Sequence, residues 1–347
     1  MNPPAPAALD ARLVALELEV ESYELERLER EVSSGFTRVT TVVALHGGRL
    51  TGYGEDVTYL AEDHEGVPAG LPLAGRHTFG SYSALLDGFE LFSRAPQLPA
   101  SHDYRRWAFE SAGLDLALRQ HGVSLGAALG RPYRPVRFVV STRLDVRPWL
   151  ALYPGLEFKL DPTPEWDPVL TAAIAAGGRV RVVDFKAFYE GTPVDNPPDA
   201  ALYARIVAAF PEAIVEDAAL LPATREALAP ALGRLSYDAP VRSWDDVGRL
   251  PARPAFLNIK PSRFGTVARL LECIERASAA GIGLYGGGQF ELGPGRGQIQ
   301  ALASLFYPEA PNDVAPFGYN EPEPRPGLPV SPLLPPVAPL GFSWPAA

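Results

Sequence analysis

Residues 179–218 read RVRVVDFKAFYEGTPVDNPPDAALYARIVAAFPEAIVEDA. An apolar, β-branched run (179–187) passes through a polar, Pro-rich connection into a segment with apolar residues at helical spacing (199–211). A second short apolar run (213–218) follows, so the stretch is one strand–helix–strand unit. Both runs end in charge: Asp184 and Lys186 close the first, Glu216 and Asp217 the second. The carboxyl ends of parallel strands open onto the ligand-binding face of an α/β sheet, so these positions are the first place to look for chemistry.

The same rhythm extends in both directions. Upstream lie strands at 136–144 (VRFVVSTRL) and 156–161 (LEFKLD), then a helix at 164–177 with proline near its start and glycine at its end. Downstream come helix 224–232, strand 235–240, short helix 244–250, strand 255–261, helix 266–281, strand 282–288 and helix 295–306, with DVAPFG (313–318) as a candidate last strand. Seven or eight such units predict a (β/α) barrel. Periodicity cannot close a sheet, so an open doubly wound sheet is the structural alternative. Before Pro132 the pattern differs. Residues 13–26 and 37–60 alternate as strands, the latter through a Gly-Gly turn, and 78–98 and 104–129 carry helical spacing. The expected organisation is an α+β capping domain over 1–130, a barrel over 131–320 and a Pro-rich tail over 321–347 that packs on the body through Phe342 and Trp344.

Composition narrows the function. The 347 residues are 47% hydrophobic and 21% charged, as in a globular enzyme, and the net charge of −10 opposes a grip on nucleic acid or on anionic membrane. No apolar run approaches a bilayer span, and the first residues lack the basic-then-apolar order of a secretory leader, so a cytoplasmic location is expected. Cys273 is the single cysteine, which excludes an internal disulfide and a cysteine zinc site. A homo-oligomer is compatible with the sequence.

Of 31 basic residues only three are lysine: Lys159, Lys186 and Lys260. An ammonium can be tuned by its surroundings to exchange a proton, whereas a guanidinium stays charged. All three lysines fall at the ends of predicted barrel strands, in a series that also holds Asp184, Glu216, Asp217, Asp238 and Glu291. Acids on successive strands converge at a barrel mouth, and a set of hard oxygen donors suits Mg²⁺. The five histidines all precede the barrel, so proton chemistry there falls to lysine or carboxylate. Lys159 and Lys260, four strands apart, face each other across the mouth, a geometry suited to removing a proton α to a carboxylate. The glycine-rich run GGQFELGPGR (287–296) supplies amides at a helix start that can cradle a carboxylate. It is no dinucleotide fingerprint.

Taken together these strings resemble the enolase superfamily, and within it the muconate-cycloisomerase-like branch of o-succinylbenzoate synthases and N-acylamino acid racemases. TRVTTVVALHGGRLTGYGE (37–55) resembles the first hairpin, FLNIKPSRFG (256–265) the sixth-strand motif and GGQFELGPGR the segment after strand seven. The resemblance implies a modified (β/α)7β barrel of TIM type under an α+β cap, with Asp184, Glu216 and Asp238 as ligands of Mg²⁺ and Lys159 and Lys260 as catalytic lysines. Lys186 and Glu291 are candidate catalytic or substrate-contacting residues, and Glu157 and Asp217 are candidates for contacts behind the ligands. The implied activity is abstraction of an α-proton through an enediolate by a lyase or isomerase. The leading reaction is o-succinylbenzoate-synthase-like dehydration. The alternatives are racemisation or cycloisomerisation, and a ligand-binding member without catalysis. This sequence departs from the branch at Glu157, where the first lysine of a Lys-x-Lys pair is expected, at Lys186, which replaces an asparagine, and at Ala315, where dipeptide epimerases carry an aspartate.

Overall fold

A computed structural model describes residues 9–33, 35–68, 70–189 and 194–344. The first part is α+β. Strands β1 (Glu17–Val20), β2 (Ser22–Val32), β3 (Phe36–Gly47), β4 (Leu50–Asp56) and β5 (Gly75–Thr78) form two antiparallel sheets, β1 with β5 and β2-β3-β4. Helices α1 (Phe79–Asp87) and α2 (Ser101–Gln120) follow. The helix expected over 78–98 stops at Asp87, capped by Gly88, and the one expected over 104–129 breaks at Gly122, whose φ of 66° ends α2 before α3 (Leu125–Leu129). Helix α2 lies directly on β4, and the Gly-x-Gly of that strand explains how. A Cβ on Gly54 would stand 1.9 Å from the Ala108 carbonyl oxygen, and one on Gly52 would stand 2.2 Å from the Leu116 nitrogen. Backbone meets backbone only where side chains are missing.

The second part is the barrel. Seven parallel strands stand in chain order: β6 (Val140–Thr142), β7 (Phe158–Leu160), β8 (Val180–Asp184), β9 (Ile214–Glu216), β10 (Leu235–Tyr237), β11 (Phe256–Ile259) and β12 (Gly283–Gly286). Around them run α4 (Arg147–Leu152), α5 (Pro168–Ala176), α6 (Ala200–Ala209), α7 (Arg225–Leu228), α8 (Trp244–Val247), α9 (Val267–Ala279) and α10 (Pro294–Phe306). Alternation divides the strand residues: Val183, Val215 and Leu257 face the main core, and Val182, Ile214 and Tyr285 form a small cluster of their own. The segment expected as a last strand closes the ring. Phe138 pairs in parallel with Asn312 and Gly287 with Asp313, through Val139 N–H to Asn312 O (2.8 Å) and Asp313 N–H to Gly286 O (2.7 Å). The architecture is therefore the modified (β/α)7β barrel under an α+β cap, and the open sheet is excluded. Fully buried Asn312 secures the closure: its Nδ2 donates to the Arg137, Tyr307 and Ala310 carbonyls, and its Oδ1 accepts from Gly286 N.

The Pro-rich tail packs across both parts. Leu333 exchanges two hydrogen bonds with Val136, Phe342 meets Trp107 edge-on at 6.2 Å and Trp344 meets Tyr133 at 6.1 Å. Among the described residues no helix is long and apolar enough to cross a membrane.

Candidate active site

The carboxyl ends of β7 to β11 bring the three lysines and the strand-end acids together. Lys159 Nζ lies 2.6 Å from Glu216 Oε1, 3.0 Å from Asp184 Oδ2 and 3.7 Å from Asp313 Oδ2. Lys260 Nζ lies 2.9 Å from Asp238 Oδ2. Lys186 Nζ contacts Asp184 Oδ2, and the Lys186 amide donates to Asp184 Oδ1 at 3.1 Å. Glu216 also accepts from Asn258 Nδ2 (3.0 Å) and the Tyr285 hydroxyl (2.6 Å). Asp184, Glu216, Asp217 and Lys159 are all fully buried.

Burial and these neighbours set the charges. Burial alone would push Asp184 up, but Lys159 and Lys186 outweigh it and hold the carboxyl below its usual range. Burial and the nearby Asp184 charge push Glu216 up to about 8. Burial and Asp238 push Asp217 up to about 7. Burial would lower Lys159, yet Asp184 and Glu216 keep its ammonium charged well beyond the ordinary lysine range.

One local feature makes the cluster possible. Along a regular strand, successive side chains point to opposite faces. Asp217 has φ of 47°, so the chain turns out of that alternation directly after Glu216, and one carboxylate oxygen each from Asp184, Glu216 and Asp217 fall within 4.8 Å of one another. Lys186 (φ 54°), two residues past β8, and Phe290 (φ 57°), four residues past β12, have the same left-handed backbone. Such backbone costs about 1–3 kcal/mol per residue and persists only where the surroundings hold it in place. Here Asp217 is held by its own carboxylate, whose Oδ1 accepts from Asp238 N (2.8 Å) and Oδ2 from Ala239 N (3.0 Å).

A cavity lies between cap and barrel mouth. The cap supplies Phe36 and Tyr59 to its lining, and the barrel supplies Asp161, Lys186, Lys260 and Asp313. Lys159 and Asp184 lie one contact further in, through Asp313 and Lys186, and Glu216 lies behind Lys159. Phe36 meets Phe290 edge-on at 5.7 Å, so aromatic side chains of both parts form one wall. The connection 188–199 contributes Tyr189 and Val194, with residues 190–193 outside the described chain.

The other expected residues have contacts of their own. Asp238, expected as the third metal ligand, lies in an ion cluster: Arg263 Nε lies 3.0 Å from its Oδ1, and Lys260 and the Tyr189 hydroxyl each lie 2.9 Å from its Oδ2. Asp217, expected behind the ligands, joins Asp184 and Glu216 in the compact group. Glu157 has its carboxylate taken by Arg137 (2.6 Å) and Arg181 (2.6 Å) at the start of β7, and these guanidiniums remove it from the electrostatics of Lys159. Glu291 is buried; its Oε1 accepts from Gln289 N at 2.8 Å, and its Oε2 presses against Gly288 at the edge of the cavity. The amides of the glycine-rich run do hold a carboxylate, but it belongs to the protein. Glu55, at the end of β4, accepts from Leu292 N (2.6 Å), Gly293 N (3.0 Å) and Gly295 N (2.9 Å). Arg263, Asp161 and Asp313 were not among the expected residues. Asp161 was within reach of sequence reasoning, because it stands two residues beyond Lys159 and so shares its face.

The donor set suits a hard divalent cation: three closely spaced carboxylates from the ends of the neighbouring strands β8 and β9. Asp184 and Glu216 accept from lysine ammoniums, and Asp217 from two backbone amides.

Comparison with known proteins agrees with the architecture. Among solved structures the chain is similar to an enolase-superfamily member from Listeria innocua Clip11262 (17% identity, 86% of each chain covered, TM-score 0.62). It is also similar to muconate cycloisomerase from Pseudomonas fluorescens (18% identity, 86% of this chain and 87% of that one, TM-score 0.61). A third is a dipeptide epimerase from Enterococcus faecalis V583 (15% identity, 94% and 99%, TM-score 0.63). No curated protein matches by sequence. The family models that match are the C-terminal domain of the domain of unknown function DUF8230, over residues 132–321, and its N-terminal domain, over 11–128. The chain thus has the fold of the enolase superfamily and belongs to the DUF8230 family.

Proposed function

We propose that the chain is an enzyme that abstracts a proton α to the carboxylate of a small molecule with the support of Mg²⁺. The leading reaction is dehydration of the o-succinylbenzoate-synthase type; N-acylamino acid racemisation and cycloisomerisation are the alternatives in the same fold. One observation carries this reading. Lys159 on β7 and Lys260, directly after β11, come from strands opposite each other in an eight-position ring, and both contact the acids that lie between them. Asp184, Glu216 and Asp217 would hold the cation. When bound there, Mg²⁺ supplies positive charge that anchors a substrate carboxylate and eases loss of its α-proton.

The chain's own residues supply the rest. Lys159 is the base in a one-base dehydration, a role open to it once Asp184 and Glu216 are neutralised by something other than its own ammonium. Lys260 is kept charged: burial would lower its pKa, but Asp238 raises it. A fixed cation on the opposite face suits stabilisation of the enediolate. Phe36, Tyr59 and Phe290 line the same cavity as Lys260. A cytoplasmic location goes with this reading.

The test is solvent deuterium exchange into a panel of carboxylates, with Mg²⁺ and with chelator. Exchange should require the metal and fall by about 10²–10⁴-fold in Lys159→Ala. Lys260→Arg should retain part of a dehydration and abolish a racemisation. Full racemisation by Lys260→Arg would refute the assignment of Lys260. A second reading, a ligand-binding member without catalysis, draws on the pairing of all three ammoniums with buried carboxylates. Absence of exchange from every acid in the panel would favour it.

A further inference from the structure

Lys186 grips Asp184 twice, and this grip bears on how the acid group takes a cation. Its backbone N–H donates to Oδ1 and its Nζ contacts Oδ2, so both oxygens of one candidate ligand are engaged by a single residue. The left-handed backbone at Lys186 folds the side chain back over Asp184. On its other side the same ammonium has Asp161. That carboxylate is tied to Arg143 Nε through Oδ2 (2.9 Å), while its Oδ1 is buried, has no hydrogen bond among the described residues and lies 3.9 Å from Lys186 Nζ. A buried acceptor without a donor is costly unless some state of the protein satisfies it. Both carboxylates are within reach of the ammonium, and only one is fully satisfied.

We propose that Lys186 is an internal cation that competes with a divalent ion for Asp184 and passes to Asp161 Oδ1 when the ion binds. The inference rests on the reading of Asp184, Glu216 and Asp217 as a cation site. Lys159 already shares Asp184 Oδ2 with Lys186, and like charges a few ångströms apart in a buried setting repel strongly, so an ion arriving at Asp184 loosens the hold of the Lys186 ammonium. Displacement leaves Asp184 free and gives Asp161 its missing donor. It also moves a positive charge along the cavity wall, since Lys186 and Asp161 both line it. Lys186 is then a positioning residue that sets the affinity of the site.

Calorimetric titration of Mg²⁺ into the full-length protein, repeated with Mn²⁺, tests this without reference to turnover. Lys186→Met keeps the length of the side chain and removes its charge, and Lys186→Gln serves as a second variant should Met perturb folding. Both should bind Mg²⁺ more tightly than the parent, on the order of tenfold or more. Asp161→Asn, which spoils the second berth, should bind severalfold more weakly than the parent, and Asp184→Asn should abolish binding. Unchanged or weaker binding by both Lys186 variants, with the parent still binding, would overturn the competition and leave the cation site standing. Failure of the parent and of both Lys186 variants to bind either ion would overturn the site itself.

Discussion

Asp238 sits between two cations. It answers Lys260 and Arg263, both buried, and accepts the Tyr189 hydroxyl. Burial would raise it, but Arg263 and then Lys260 hold it well below the usual carboxylate range. Removing one partner of a buried pair costs about 3–5 kcal/mol, because the other charge is left without compensation. Asp238→Asn should therefore lose about that much stability in urea unfolding. A loss under 1 kcal/mol would mean that Lys260 and Arg263 reach other partners. The sequence placed Asp238 at a strand end correctly, but alternation says nothing about which of several neighbours a carboxylate will choose. Arg263 lies three residues past Lys260, in a short turn where no period applies, and it decides that choice.

At the scale of elements, Glu55 joins β4 to the loop before α10 and to that helix's first turn. Three amides converge on it across 237 to 240 positions of sequence. The Gly-x-Gly-Glu of the hairpin and the glycine-rich run were each visible in the sequence, but nothing in either string indicates that one answers the other. Glu55→Ala leaves these donors unpaired. It should cost about 1–3 kcal/mol and speed hydrogen exchange at Leu292, Gly293 and Gly295 while the α2 core stays protected. Unaltered exchange at those three amides would show that the loop is held by other means. The Gly-x-Gly itself is a packing device, and Gly54→Ala should destabilise by about 1–3 kcal/mol in thermal unfolding as overpacking forces α2 from β4. Strand–helix units were legible because burial on a barrel imposes period and length. The left-handed turns at Lys186 and Asp217 were not, since neither is a glycine and only tertiary contacts hold them there.

For the whole molecule, the acid cluster couples folding to pH. Glu216 rises from an ordinary 4.5 to about 8 and Asp217 from 3.8 to about 7. The folded chain therefore holds more protons at these two groups than the unfolded chain through the range between those values. Stability falls as pH rises wherever the folded form binds the extra proton, so the contribution of these groups declines from about pH 4 to about pH 8. Without divalent cation, the melting temperature should be lower at pH 8.5 than at pH 6, and Mg²⁺ should narrow the gap by supplying the missing positive charge. A midpoint that climbs over that interval without metal would contradict the account. Asp184 and Asp238, both depressed, act in the opposite sense and only in acid, where protonation removes their ion pairs.

The fastening at Glu55 has an architectural corollary. The wall that faces a substrate is shaped in one half of the polypeptide and pinned from the other, so the halves are not interchangeable parts. A chimera setting this barrel beneath a foreign hairpin would inherit a slack rim unless the donor carried an acid at the same register.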